Sequence, residues 1–169
     1  MSLDTIPAIY CGTYHKYSCG SIFGKWFKLN EFADRDEFLD ACRELHDDEE
    51  DPELMFQDWK EIPEALCSES WVSDKVWEYM EACESRSQKA VNAYIEEFHP
   101  SNAEAFDVNQ FDDRFVGEIS LRDYAEELFD EYENCPEHLR EYIDMDDYAR
   151  NLESSGAYVA RNGFLFRCD

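Results

Sequence analysis

Apolar positions in this 169-residue chain come in short runs of differing period. AIYCGTYHKYSCGSIFGKWFKL is rich in Tyr, Ile, Phe and Trp and is punctuated by Gly12, Gly20 and Gly24, which predicts strands over Ala8–Tyr14 and Phe23–Leu29. Over Asp34–Leu45 the period becomes helical. Phe38, Cys42 and Leu45 share one face, while Asp36, Asp40 and Glu44 follow one another at i+4 on another. Pro52 stops any continuation, and Leu54–Trp59 returns as a third strand. One helix across a small sheet would turn Phe56 or its neighbours inward and leave Asp47–Asp51 as an exposed rim.

The middle of the chain reads as two helices, Ser73–Ala82 with Ser73 as N-cap and Ser87–Phe98, ended by Pro100. Their stripes are Val76, Trp77 and Met80, then Val91, Tyr94, Ile95 and Phe98. Ser101–Glu104 has capping-box spacing for a short turn, and Arg114–Ile119 reads as a strand. Ser120 with Asp123 starts a helix over Leu121–Glu133, Pro136 opens a short one, and Asp146–Glu153 forms another. In AYVARNGFLFR, Asn162-Gly163 suits a type I′ turn between two strands. These elements predict an α+β fold with small antiparallel sheets and helices at both ends and a helical middle, the pattern shifting near residues 61 and 104.

Charge changes the picture. Forty-one acidic against fifteen basic residues give a formal net charge of −26. So high a charge with low hydropathy would suggest disorder, but aromatics make up 15% of the chain and recur along its length, so a core can form. The imbalance is regional: residues 1–30 carry three lysines against one aspartate, residues 31–64 fifteen acids against three bases, and residues 104–169 eighteen against six. Such a surface repels nucleic acid and anionic lipid and attracts basic partners. The N-terminus lacks a signal-peptide pattern and no stretch reaches membrane-span length, so a cytoplasmic protein with no membrane partner is expected. Seven widely spaced cysteines without a CxxC pair read as reduced thiols.

Catalytic chemistry finds little support. His15, His46, His99 and His138 are scattered, with His46 at the end of an acidic helix where the dipole and neighbouring charge suit it. No nucleophile elbow, HExxH or phosphate-binding glycine loop is present. Asp107, Asn109, Asp113 and Glu118 have partial EF-hand spacing, but Phe111 and Asp112 stand where a ligand and the glycine turn are required. No catalytic residue, metal ligand or cofactor is therefore assigned.

A row of carboxylates at helical spacing is ordinarily a solvated face. Here compensation is missing. Leu121–Glu133 sets Arg122 alone against Asp123, Glu126, Glu127, Asp130, Glu131 and Glu133, with Glu118 just upstream. Like charges at i+4 cost about 0.2–0.5 kcal/mol per pair. Rows of this kind on a rigid scaffold can imitate a phosphate track. The candidate phosphate surrogates are Asp36, Asp40, Glu44, Asp47, Asp48, Glu49, Glu50, Asp51, Asp112, Asp113, Asp123, Glu126, Glu127, Asp130 and Glu131.

The block IYCGTYHKYSCGSIFGKWFKL (Ile9–Leu29), followed by DEFLDACRELHDDEEDPELMFQDWKEIP (Asp36–Pro63), resembles the ArdA antirestriction proteins; SWVSDKVWEYMEA, AEELFDEYE and EHLREYIDMDDYARNL are similar to the same family. The resemblance implies a protein of mobile genetic elements in the bacterial host cytoplasm. Such a protein mimics bent duplex DNA and occupies the DNA-binding groove of type I restriction-modification enzymes, formed by their specificity and methylase subunits. It also implies an elongated, curved chain of three small domains (1–61, 62–103 and 104–169), a homodimer joined through the C-terminal part, and an antirestriction motif placed here in Asp123–Glu133. Arg114, Arg122 and Arg140 interrupt the anionic surface, either pairing internally or stabilising a dimer. The competing readings are an acidic adaptor or inhibitor of another basic, DNA-binding protein, a carboxylate metal hydrolase, and a mere solubility surface.

Overall fold

The computed structural model describes residues 6–168. It is an α+β protein, with eight α-helices and antiparallel sheets of three, two and three strands among the described residues. The chain divides into two compact units, one up to Val108 and one from Asn109 onward.

In the first unit, β1 (Ala8–Thr13) runs into a short helix α1 (Tyr14–Ser18), and β2 (Lys25–Lys28) returns beside β1. The Thr13 hydroxyl caps α1 by accepting from the Lys16 amide at 3.2 Å. Sequence reading ran the first strand through Tyr14. The cap ends it one residue earlier, because a side-chain acceptor at Thr13 favours the helical turn over continued pairing. At Gly24 a Cβ would stand 2.5 Å from the Cys11 carbonyl oxygen, so this approach to β1 requires glycine.

Helix α2 (Arg35–Leu45) begins where expected. Asp34 accepts from the Glu37 amide at 2.9 Å and the Glu37 carboxylate accepts from the Ala33 amide at 2.6 Å. Strand β3 (Leu54–Lys60) then pairs with the other edge of β1, giving the order β2-β1-β3. The helix crosses one face of this sheet. Phe38 is fully buried, with the rings of Phe32, Phe27, Phe56 and Trp77 centred 5.7–6.3 Å away.

A hairpin of β4 (Cys67–Ser68) and β5 (Trp71–Val72), unexpected from sequence because each strand has only two residues, precedes α3 (Lys75–Ser85) and α4 (Gln88–Phe98). Ser73 lies just before the cap position and still accepts from the Lys75 amide at 3.1 Å; Ser87 caps α4. Tyr79 and Tyr94 are the largest buried side chains of this pair.

Helix α5 (Val108–Arg114), which sequence reading did not expect, leads into the second unit and into β6 (Phe115–Gly117), which lies inside the strand expected over Arg114–Ile119. Phe111 on α5 is buried and stacked on Phe115 of β6 at 5.1 Å, a contact the helical turn makes possible. Helix α6 (Leu121–Tyr132), capped by Ser120, packs on α8 (Met145–Ser154) through Phe129 and Tyr148, with the short α7 (Glu137–Arg140) between them in sequence. Strands β7 (Tyr158–Arg161) and β8 (Phe164–Arg167) form the predicted hairpin. Asn162 and Gly163 have φ of 52° and 85°, the positive values a type I′ turn needs. The sheet order is β6-β8-β7.

Phe38→Ala leaves a cavity among four rings. It is expected to lower the stability of the first unit by about 3–5 kcal/mol in urea denaturation.

Candidate functional site

Carboxylates concentrate in two places in the first unit. On α2, Asp36, Asp40 and Glu44 are exposed along one face, opposite the buried Phe38 and Cys42. Asp40 pairs with Arg43 at 3.1 Å across one turn, whereas Asp36 and Glu44 make no ion pair among the described residues. The run Asp47–Asp51 forms a turn between α2 and β3. Its members are not equivalent: Asp47, Glu50 and Asp51 are exposed and without ion pairs among the described residues, while Asp48 and Glu49 are held from below.

The holding group is Lys16 of α1, whose Nζ lies 2.7 Å from Asp48, 3.3 Å from Glu49 and 2.9 Å from Nδ1 of His46. The buried Thr13 hydroxyl donates to Glu49 at 2.6 Å. An ammonium can only donate, so His46 Nδ1 accepts and the ring is neutral, its hydrogen on Nε2, which donates to the Cys11 carbonyl at 3.3 Å. His46 stands where the sequence reading placed it, at the end of the acidic helix α2, and is fully buried there, wedged between α2 and β1.

Hydrogen bonding from Lys16 holds the Asp48 carboxyl below its usual range, and the Thr13 hydroxyl followed by Lys16 does the same for Glu49. Burial opposes the charge of Lys16, but Asp48 and Glu49 hold its ammonium above the usual value.

In the second unit, Asp112 and Asp113 are exposed on α5, and Asp123, Glu126, Glu127, Asp130 and Glu131 lie along α6. Two arginines sort the α6 group. Arg122 reaches Glu126 at 3.1 Å, Asp146 of α8 at 3.1 Å and Asp123 at 3.7 Å. Arg140 of α7 pairs with Asp130 and reaches Glu126 at 3.6 Å while lying over the Phe129 ring. Arg114 donates to the carbonyls of Cys168 and Arg167. All three therefore pair within the second unit. Glu126 and Asp130 are largely compensated, whereas Glu127, Glu131 and, on α5, Asp113 make no ion pair among the described residues.

Sequence reasoning missed Lys16, Thr13 and His46 as organisers of the acidic turn. The only signal was a lysine inside the one net-positive segment, 32 residues from Asp48, the nearer of the acids it holds. No group of His, Cys, Asp and Glu among the described residues is arranged to hold a metal ion, and the partial EF-hand segment is helix and strand. Burial raises the Cys67 thiol to about 12 and the Cys83 thiol to about 11; contact with Cys11, followed by burial, raises Cys42 strongly. These three are poor nucleophiles at neutral pH. No helix among the described residues is long and apolar enough to cross a membrane.

The depressed values of Asp48 and Glu49 fix a sign. A carboxylate with a lowered folded-state pKa stabilises above its unfolded value and loses that contribution as pH falls through the folded one. The groups facing the pair are Lys16, His46, His15 and Thr13. The stability difference between the wild type and an Asp48→Asn/Glu49→Gln variant is therefore expected to be constant above about pH 5 and to shrink progressively below about pH 4 in denaturation series.

The model of one protein family, antirestriction protein (ArdA), matches residues 9–166, nearly the whole chain. No curated protein matches it.

Proposed function

The chain belongs to the ArdA family of antirestriction proteins, and from that premise we propose that it inhibits by DNA mimicry. Its surface carboxylates take the place of phosphates in the DNA-binding groove that the specificity and methylase subunits of a type I restriction-modification enzyme form. The protein is then an inhibitor and not an enzyme, works in the bacterial cytoplasm, and does not itself bind nucleic acid, which its charge repels.

The observation that carries this reading is the set of carboxylates left uncompensated on ordered elements: Asp36, Glu44, Asp47, Glu50 and Asp51 in the first unit, Asp113, Glu127 and Glu131 in the second. Magnitude supports it. Asp123 to Glu131 places five carboxylates on α6 within about 12 Å of helix axis, and Asp36 to Glu44 four on α2 within the same length. One strand of duplex DNA carries a charge about every 3.4 Å. The rows therefore reach the linear charge density of a phosphate strand before internal pairing is subtracted.

A homodimer joined through the C-terminal part belongs to the same proposal, as does organisation in three parts at 1–61, 62–103 and 104–169. Exposed Tyr132, Leu139, Tyr142 and Ile143 on the second unit supply apolar area for such a contact. Leu139→Asp with Tyr142→Asp is expected to give monomers in sedimentation at concentrations where the wild type is dimeric.

Competition with duplex DNA for a purified methylase–specificity complex tests the main reading. Any single amide replacement among the eight free carboxylates should weaken competition less than about fivefold, since one exposed charge pair contributes about 0.2–1 kcal/mol. Replacing Asp47, Glu50, Asp51, Glu127 and Glu131 together should weaken it about fiftyfold or more, and inhibition should fall steeply with salt. Complete loss from one amide swap would reveal a discrete site and end the mimicry reading.

A further inference from the structure

Five consecutive carboxylates repel one another, and a turn built from them has every reason to splay. Instead two members of the Asp47–Asp51 run, Asp48 and Glu49, are held over Lys16. The three protons of its ammonium meet three acceptors, on Asp48, Glu49 and His46, and its side chain is only 14% exposed. Behind it, neutral His46 passes the contact to the backbone of β1 at Cys11, and the Phe23 ring closes the other side, 5.3 Å from Nζ. Thr13, at the junction of β1 and α1, fixes Glu49 a second time. The turn is thereby tied to a strand of the central sheet, to α1 and to the end of α2.

We propose that Lys16 is a positioning residue for the acidic array. Its positive charge holds the anions of Asp47–Asp51 in a fixed arrangement, and that arrangement, rather than the amount of charge, makes the turn an effective ligand for a basic groove. The proposal rests on the mimicry reading and adds a sign to it. Removing a cation from a chain of net charge −26 adds to its anionic excess, so charge alone requires tighter binding to a basic partner. Positioning requires the opposite, because a loosened turn must be ordered again on docking.

Lys16→Met keeps the length of the side chain and removes the charge. The expected result is about three- to tenfold weaker competition with duplex DNA for the methylase–specificity complex. Amide exchange should accelerate over residues 46–53 while β1 and β3 stay protected, and Lys16→Arg should restore most of the binding. Competition equal to or tighter than wild type overturns the proposal, as does an unchanged exchange pattern in the turn. Where Lys16→Met also costs β1 and β3 their protection, Thr13→Val decides: it removes the hydrogen bond to Glu49 and leaves every charge in place. Weaker competition at constant net charge is expected, and wild-type competition from that variant overturns positioning. A wild-type protein that fails to displace duplex at all overturns the mimicry reading and any role of Lys16 in binding, while exchange over residues 46–53 separately reports whether the lysine orders the turn.

Discussion

Mutual repulsion among forty-one carboxylates bears on every element of this molecule, because each helix or turn that carries acids has to be pinned by contacts the repulsion cannot undo. The pins are of two kinds. Aromatic burial fixes the elements: Phe38 beneath α2, Phe111 beneath α5 and Phe129 beneath α6 are each buried against other rings. Cations fix individual acids, and they are spent sparingly. Lys16 serves two carboxylates of the acidic turn, Arg122 links α6 to α8, and Arg140 links α6 to α7.

This division of labour explains how so acidic a chain is ordered. Exposed ion pairs contribute about 0–1 kcal/mol each, too little to found a fold. Burying one large apolar side chain contributes about 1.5–3 kcal/mol, so the rings supply the stability and the few cations determine where particular anions stand. The carboxylates left over are a deliberate remainder in energetic terms. They carry an unrelieved cost in the isolated protein, which is the physical ground for proposing that a basic partner relieves it.

Most of the secondary structure was legible in the chain. Helix α2 follows from Asp34 as cap and the Phe38–Cys42 spacing, α6 from Ser120 and its apolar face, and the last hairpin from Asn162-Gly163. What escaped was short or dictated from elsewhere. Strands β4 and β5 have two residues each and no period to read, and α5 is helical because Phe111 finds Phe115 and Phe166. Likewise the fifteen candidate carboxylates were found by pattern, but their sorting into free and compensated groups was not, since Arg140 and Asp130 lie ten residues apart and Lys16 and Asp48 thirty-two.

The sequence alone determined the sign of the surface, the positions of its acidic rows, the periodicities of the major elements and the family resemblance, because composition, capping and turn chemistry act over a few residues. Tertiary structure decided the rest: that His46 is buried and neutral, that Lys16 gathers the acidic turn, and that three arginines pair within the second unit. Electrostatic partnership depends on distance in space and on burial, and neither is fixed until β1, α1 and α2 have come together.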